Sequence, residues 1–188
     1  MNDPLAAALS ELIAALERIK VRYAIGGSLA SSAHGVVRAT LDGDIVASIL
    51  PQQVQPLADA LGKRWYADAD MIQRSLRTGQ SFNLIHMDSA LKFDIFPART
   101  EFHRAQLERA AITPVLDVPC AVTTAEDILL AKLRWYADGG QVSERQWNDI
   151  VGLIAINPTL DQEYVNLWAS RLGVTELLER AQADASRE

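Results

Sequence analysis

The sequence has a single cysteine, Cys120, in 188 residues. That excludes an internal disulfide and makes a reduced cytoplasm the default setting. Long hydrophobic runs are also missing. The longest fall far short of the ~20 apolar residues that span a bilayer, so no membrane segment is expected. The N-terminal stretch lacks a basic region, and Ser10, Glu11 and Glu17 interrupt its apolar residues. It reads as an amphipathic helix and not as a signal peptide. Positive charge is in deficit: 18 Lys and Arg stand against 24 Asp and Glu, for a net charge of -6. A broadly acidic surface argues against general binding to DNA or RNA. Arg99, His103, Arg104 and Arg109 form the best candidate for a local basic patch, and a solvated helix face is the plainer account of them. No internal repeat or low-complexity linker is visible.

What is present suffices for a sizeable core, since 49% of residues are hydrophobic and 22% charged. The length fits one domain, or one domain with a small second lobe. Apolar residues at Leu5, Leu9, Leu12, Ile13, Leu16 and Ile19 have helical spacing, with Asp3 as N-cap and Pro4 at the first position. Val21 to Ile25 is β-prone, Ser28 to Ala33 is a helix of small residues, and Gly35 ends it. A helix starts at Pro51 and stops at Gly62. Arg64 to Tyr66 reads as a short edge strand, and Ala69 to Leu76 as a helix closed by Gly79. Ser81 to Met87 and Leu91 to Phe96 predict a hairpin. Phe102 to Ala110 is helical, and Ile112 to Val122, with Pro114 and Pro119, allows two short or edge strands. From Ile128 onward four helices are expected. Thr123 with Glu126, and Ser143 with Gln146, fit capping boxes. The fold class is therefore α/β (α+β): a core over residues 1–122 and a helical lobe over 123–188.

The chemistry centres on Tyr23 to Ser48. A strand breaks at Gly26-Gly27-Ser28, a helix follows, and a second strand carries Asp42 and Asp44. Alternate residues on a strand share a face, so the two aspartates do, with their α-carbons about 6.6 Å apart at ~3.3 Å per residue. Paired carboxylates suit Mg²⁺, a hard ion that takes oxygen ligands. The N–H groups of a Gly-Ser turn suit phosphate. Asp94 lies between apolar neighbours, where a carboxylate is costly unless paired or bound to metal. Lys92, Asp94 and Phe96 share its strand face. Beside the first pair, Asp94 would complete a site for two Mg²⁺ ions acting on a nucleoside triphosphate. Lys132 sits in an apolar stripe with Ile128 and Trp135, so it needs an anionic partner or an exposed head. His34, His86 and His103 lack metal-ligand spacing and read as structural. Cys120 reads as a small buried residue. Trp135, Trp147 and Trp168 read as core, with Trp135 or Trp147 as candidates to line a cleft.

Gly27-Ser28, thirteen intervening residues, Asp42-x-Asp44 and the later Asp94 together resemble the nucleotidyltransferase superfamily of the polymerase-beta type. The wording Arg38-Ala39-Thr40-Leu41-Asp42 is most similar to a minimal prokaryotic branch that includes AbiEii-type toxins. Ala125-Glu126-Asp127 with Lys132, followed by a helix bearing Asp149, fits the same branch. The resemblance implies a mixed sheet with packed helices and an active cleft between sheet and lobe. It implies Mg²⁺ on Asp42, Asp44 and Asp94. It places phosphate on Gly27, Ser28, Lys132 and Lys92, with Asp149 orienting Lys132 or the acceptor. The implied reaction is NMP transfer from an NTP to a hydroxyl of RNA such as tRNA, of a protein or of a small molecule, and a cognate antitoxin is a possible partner. The alternative is a non-catalytic nucleotide-binding or interaction module on the same fold. Gly43 departs from the pattern, which usually has an apolar residue there, and glycine is expected to weaken the strand.

Overall fold

A computed structural model describes residues 3–35 and 42–187. The Arg38 to Leu41 part of the motif lies outside the described residues. Helix α1 (Pro4–Arg18) starts where Asp3 accepts a hydrogen bond from the Leu5 N–H, with Pro4 in the first turn. Its buried Leu9, Leu12 and Leu16 form the predicted apolar face. Strand β1 (Arg22–Gly26) runs directly into α2 (Gly27–Ala33), and β2 (Asp42–Ser48) returns antiparallel to β1. Pro51 opens a single 3₁₀ turn, and α3 (Val54–Leu61) follows it. Strand β3 (Trp65–Tyr66) and helix α4 (Ala69–Thr78) come next. The predicted hairpin is β4 (Phe82–His86) and β5 (Leu91–Pro97). Helix α5 (Glu101–Arg109) precedes a second hairpin, β6 (Ala111–Val115) and β7 (Val118–Val122). Four helices complete the chain: α6 (Ala125–Asp138), α7 (Glu144–Ile156), α8 (Gln162–Leu172) and α9 (Thr175–Ala185).

The seven described strands make one mixed sheet in the order β3-β4-β5-β2-β1-β7-β6. Pro114 and Pro119 face each other across β6 and β7, so the two missing N–H groups share one rung next to the sheet edge. Cap chemistry moves one expected boundary: Thr124, and not Thr123, caps α6, by accepting from the Asp127 N–H. Ser143 caps α7 as expected.

Side chains of β2 and β5 alternate as a two-faced strand requires. Gly43, Ile45, Phe93 and Ile95 are buried on one face. On that side Trp65 packs at 5.6 Å from Phe93 and donates its indole N–H to Glu11 of α1. Asp42, Asp44 and Val46 of β2, with Lys92, Asp94 and Phe96 of β5, occupy the other face. Phe96 there meets Trp135 of α6. The buried residues of sheet and helices form one continuous core.

Candidate active site

Parallel pairing of β2 with β5 sets Asp44 directly opposite Asp94, and Asp42 opposite Lys92. The three carboxylates expected from spacing therefore stand on one sheet face. On its other side Asp44 is level with Gly26 of β1, one residue before the turn. Gly27 has φ +56, a backbone conformation that favours glycine, and a Cβ there would run into the Asp44 carboxyl group. The turn and the carboxylate thus occupy the same few ångströms, and only glycine fits between them.

Gly43 has an equally local reason. A Cβ at this position would lie 2.6 and 2.8 Å from two ring carbons of Phe93. The strand is paired on both sides, by β1 and β5, and the Phe93 ring fills the space an apolar side chain would take.

Charge in this cluster is only partly neutralised. Burial pushes the Asp44 carboxyl above its ordinary range, and the neighbouring Asp94 and Asp42 push the same way. Lys132 and Lys92 pull it down without cancelling the effect. Lys92 Nζ pairs with Asp94 Oδ2 at 3.0 Å. That bond holds the ammonium above its usual pKa. Lys132 Nζ pairs with Asp149 Oδ2 at 3.1 Å, linking α6 to α7. The anionic partner required by the apolar stripe is therefore Asp149.

A cleft of about 330 Å³ opens beside the cluster. Gly27, Ser28, Asp44, Lys132 and Asp149 border it, while Asp42, Asp94 and Lys92 do not. Among the described residues no three His, Cys, Asp or Glu side chains are gathered closely enough to hold a metal ion. The donor set itself suits Mg²⁺. It offers hard carboxylate oxygens on adjacent strands, with mutual repulsion at Asp44 that a cation would relieve.

The cleft also collects residues that the sequence did not place in the site, along with one cleft candidate, Trp135. His103, Gln106 and Phe96 line it, as does Trp135, which is 60% exposed and not a core residue. Trp147 and Trp168 are buried as expected. The residues of the candidate basic patch are hydrogen-bonded to their surroundings. Arg99 donates to the carbonyls of Leu76 and Arg77, and Arg104 to that of Arg99. Arg109 turns inward to Glu126. His34 and His86 are hydrogen-bonded into the structure. Cys120 is buried, which pushes its thiol up to about 11.

No family model and no curated protein matches the chain. Solved structures do. The solution structure of the antibiotic-resistance factor ANT(2'')-Ia is 16% identical, with a TM-score of 0.57 over 98% of this chain and 100% of that one. The crystal structure of ANT(2'')-Ia in complex with adenylyl-2''-tobramycin is 15% identical, with a TM-score of 0.59 over 89% and 95%. An antigenic nucleotidyltransferase-like protein from Paracoccidioides brasiliensis is 18% identical, with a TM-score of 0.53 over 95% and 92%. The chain has the nucleotidyltransferase fold. That likeness extends through the helices after β7 as well as the sheet, since nearly the whole chain is covered. In this nucleotidyltransferase fold Asp44 of the carboxylate rung and the Gly-Ser turn meet at one end of the cleft, and Lys132 approaches from α6.

Proposed function

We propose that the protein is a Mg²⁺-dependent nucleotidyltransferase that moves an NMP from an NTP to a hydroxyl group of a small molecule. The rung formed by Asp44 and Asp94, with Asp42 on the same face beside the cleft, carries this reading. The acceptor oxygen attacks the α-phosphorus, and the bond to the pyrophosphate oxygen breaks with its electron pair. Asp94 accepts the hydroxyl proton. Asp42, Asp44 and Asp94, whose side chains must draw closer together to share it, would hold the metal, which would supply positive charge to offset the phosphates and the developing charge on the attacking oxygen. Gly27 and Ser28 hold the β- and γ-phosphates through backbone N–H groups and the Ser28 hydroxyl. Lys132 neutralises phosphate charge, Asp149 orients it, and Lys92 adds charge from the Asp94 side. This is catalysis by positioning and electrostatics.

Two observations favour a small acceptor. ANT(2'')-Ia, a fold neighbour, was crystallised with an adenylylated aminoglycoside. The net charge of -6 suits a small cationic acceptor better than tRNA. Label transfer from an α-³²P-NTP to hydroxylated small molecules tests the reading. Transfer that requires Mg²⁺ and disappears in Asp42→Ala and Asp94→Ala supports it. Label on tRNA or on a protein would instead favour the AbiEii-like version, with an antitoxin as partner. A second reading, a nucleotide-binding module without turnover, draws on the Lys92–Asp94 pair, which engages one carboxylate. NTP binding with no transfer to any acceptor would favour that module.

A further inference from the structure

The far end of the cleft differs from the end at Asp44. Val46 and Phe96 form the rung two residues beyond Asp44 and Asp94 on the same face of β2 and β5. About 6.6 Å past the carboxylates, at ~3.3 Å per residue, the floor therefore becomes apolar. Trp135 stands at its side, edge-on to Phe96 with ring centroids 6.1 Å apart and planes at 86°. An exposed indole beside a phenyl ring on a cleft wall is a stacking surface for a flat heterocycle.

The wall from α5 is polar. Gln106 is only 4% exposed yet borders the cleft. Its side-chain amide makes no hydrogen bond among the described residues. Its polar atoms are not among the buried unpartnered ones, so the amide opens onto the cleft and is available to a ligand there. His103 borders the same space, and its Nδ1 lies 3.1 Å from the Pro97 carbonyl oxygen. A carbonyl only accepts, so Nδ1 carries the hydrogen and Nε2 is left as the acceptor of the ring. Burial favours the neutral imidazole.

We propose that this end of the cleft is a nucleobase pocket, stacked by Trp135 and Phe96 and read by Gln106 and His103. It selects a 6-amino or 4-amino base, adenine or cytosine, over the oxo bases guanine and uracil. The inference rests on the nucleotidyltransferase reading above. The exocyclic amino group has two hydrogens for two acceptors, Gln106 Oε1 and His103 Nε2. The adjacent ring nitrogen accepts from Gln106 Nε2. An oxo group in the same place sets its lone pairs against the His103 acceptor.

Equilibrium titrations with ATP, CTP, GTP and UTP in Mg²⁺ test this on the full chain. The wild type is expected to bind ATP and CTP at least tenfold more tightly than GTP and UTP. Gln106→Leu should bring all four within about threefold, because a site built to hydrogen-bond one edge loses its discrimination with the bond. Trp135→Ala should weaken all four by about tenfold, since stacking is sequence-tolerant. Trp135 is exposed, so its removal leaves the fold intact, and that variant decides the matter even where Gln106→Leu is unstable. Equal affinity for the four nucleotides, or unchanged affinity in Trp135→Ala, overturns the pocket. If that equal binding is lost in Lys132→Ala, the nucleotidyltransferase reading survives alone. Absence of any nucleotide binding sinks both.

Discussion

At the scale of single residues, the site sets function against stability. The Asp44 carboxyl is raised by burial and by its neighbours Asp94 and Asp42. The folded state therefore holds that proton to higher pH than the unfolded chain does. Stability from this group is greatest below the unfolded value and falls as pH rises toward the folded one. Asp44→Asn should match the wild type in melting temperature near pH 3.5 and exceed it at pH 7, while label transfer falls by about 10²-fold or more. A variant no more stable at pH 7 than the parent would refute the repulsion argument. Gly43 makes the opposite kind of claim. By strand propensity valine should help there, but the Phe93 ring occupies the space. Gly43→Val is expected to cost about 1–3 kcal/mol in urea unfolding, the usual cost of overpacking.

At the scale of elements, a buried polar clasp ties α5 to α6 and α8. Asp127 is fully buried and accepts from the Tyr164 hydroxyl at 2.6 Å. Arg109 stacks on the Tyr164 ring, 3.9 Å from its centroid, and bonds Glu126 at 3.2 Å. The Arg109 Nε is buried without a hydrogen-bond partner and stands 3.8 Å from Asp127 Oδ2. Burial pushes the Asp127 carboxyl up, against the pull of Tyr164 and Arg109. Tyr164→Phe removes one donor and leaves that carboxylate buried, so chemical denaturation should show a loss of about 1–3 kcal/mol. Because α5 carries His103 and Gln106 and α6 carries Lys132, the same variant should also disturb nucleotide affinity.

At the scale of the whole molecule, metal and stability are linked through the carboxylate face. Mg²⁺ at about 100 times its Kd stabilises a folded site by ~2.7 kcal/mol. The wild type should show a Mg²⁺-dependent rise in Tm that EDTA reverses and that Asp44→Asn and Asp94→Asn lack. A Tm indifferent to Mg²⁺ would speak for the non-catalytic module. No helix among the described residues is long and apolar enough to cross a membrane, in keeping with the short apolar runs of the sequence.

Local chemistry settled much of this in advance. The period of apolar residues defined α1 and the C-terminal helices, and Gly and Pro marked the breaks between elements. Alternation along a strand put Asp42 and Asp44 on one face, because that depends only on the backbone repeat. Register is different. Asp44 meets Asp94 because β2 and β5 pair in parallel, fifty residues apart in the chain, and no local pattern encodes that choice. The role of Gly43 depends on the ring of Phe93, and the partner of Lys132 on the approach of α7 to α6. Gln106 was legible as a helix residue only, and Trp135 as either a core residue or a cleft residue. Whether such a side chain enters a core or a cleft is decided by what packs opposite it, and that belongs to the tertiary structure.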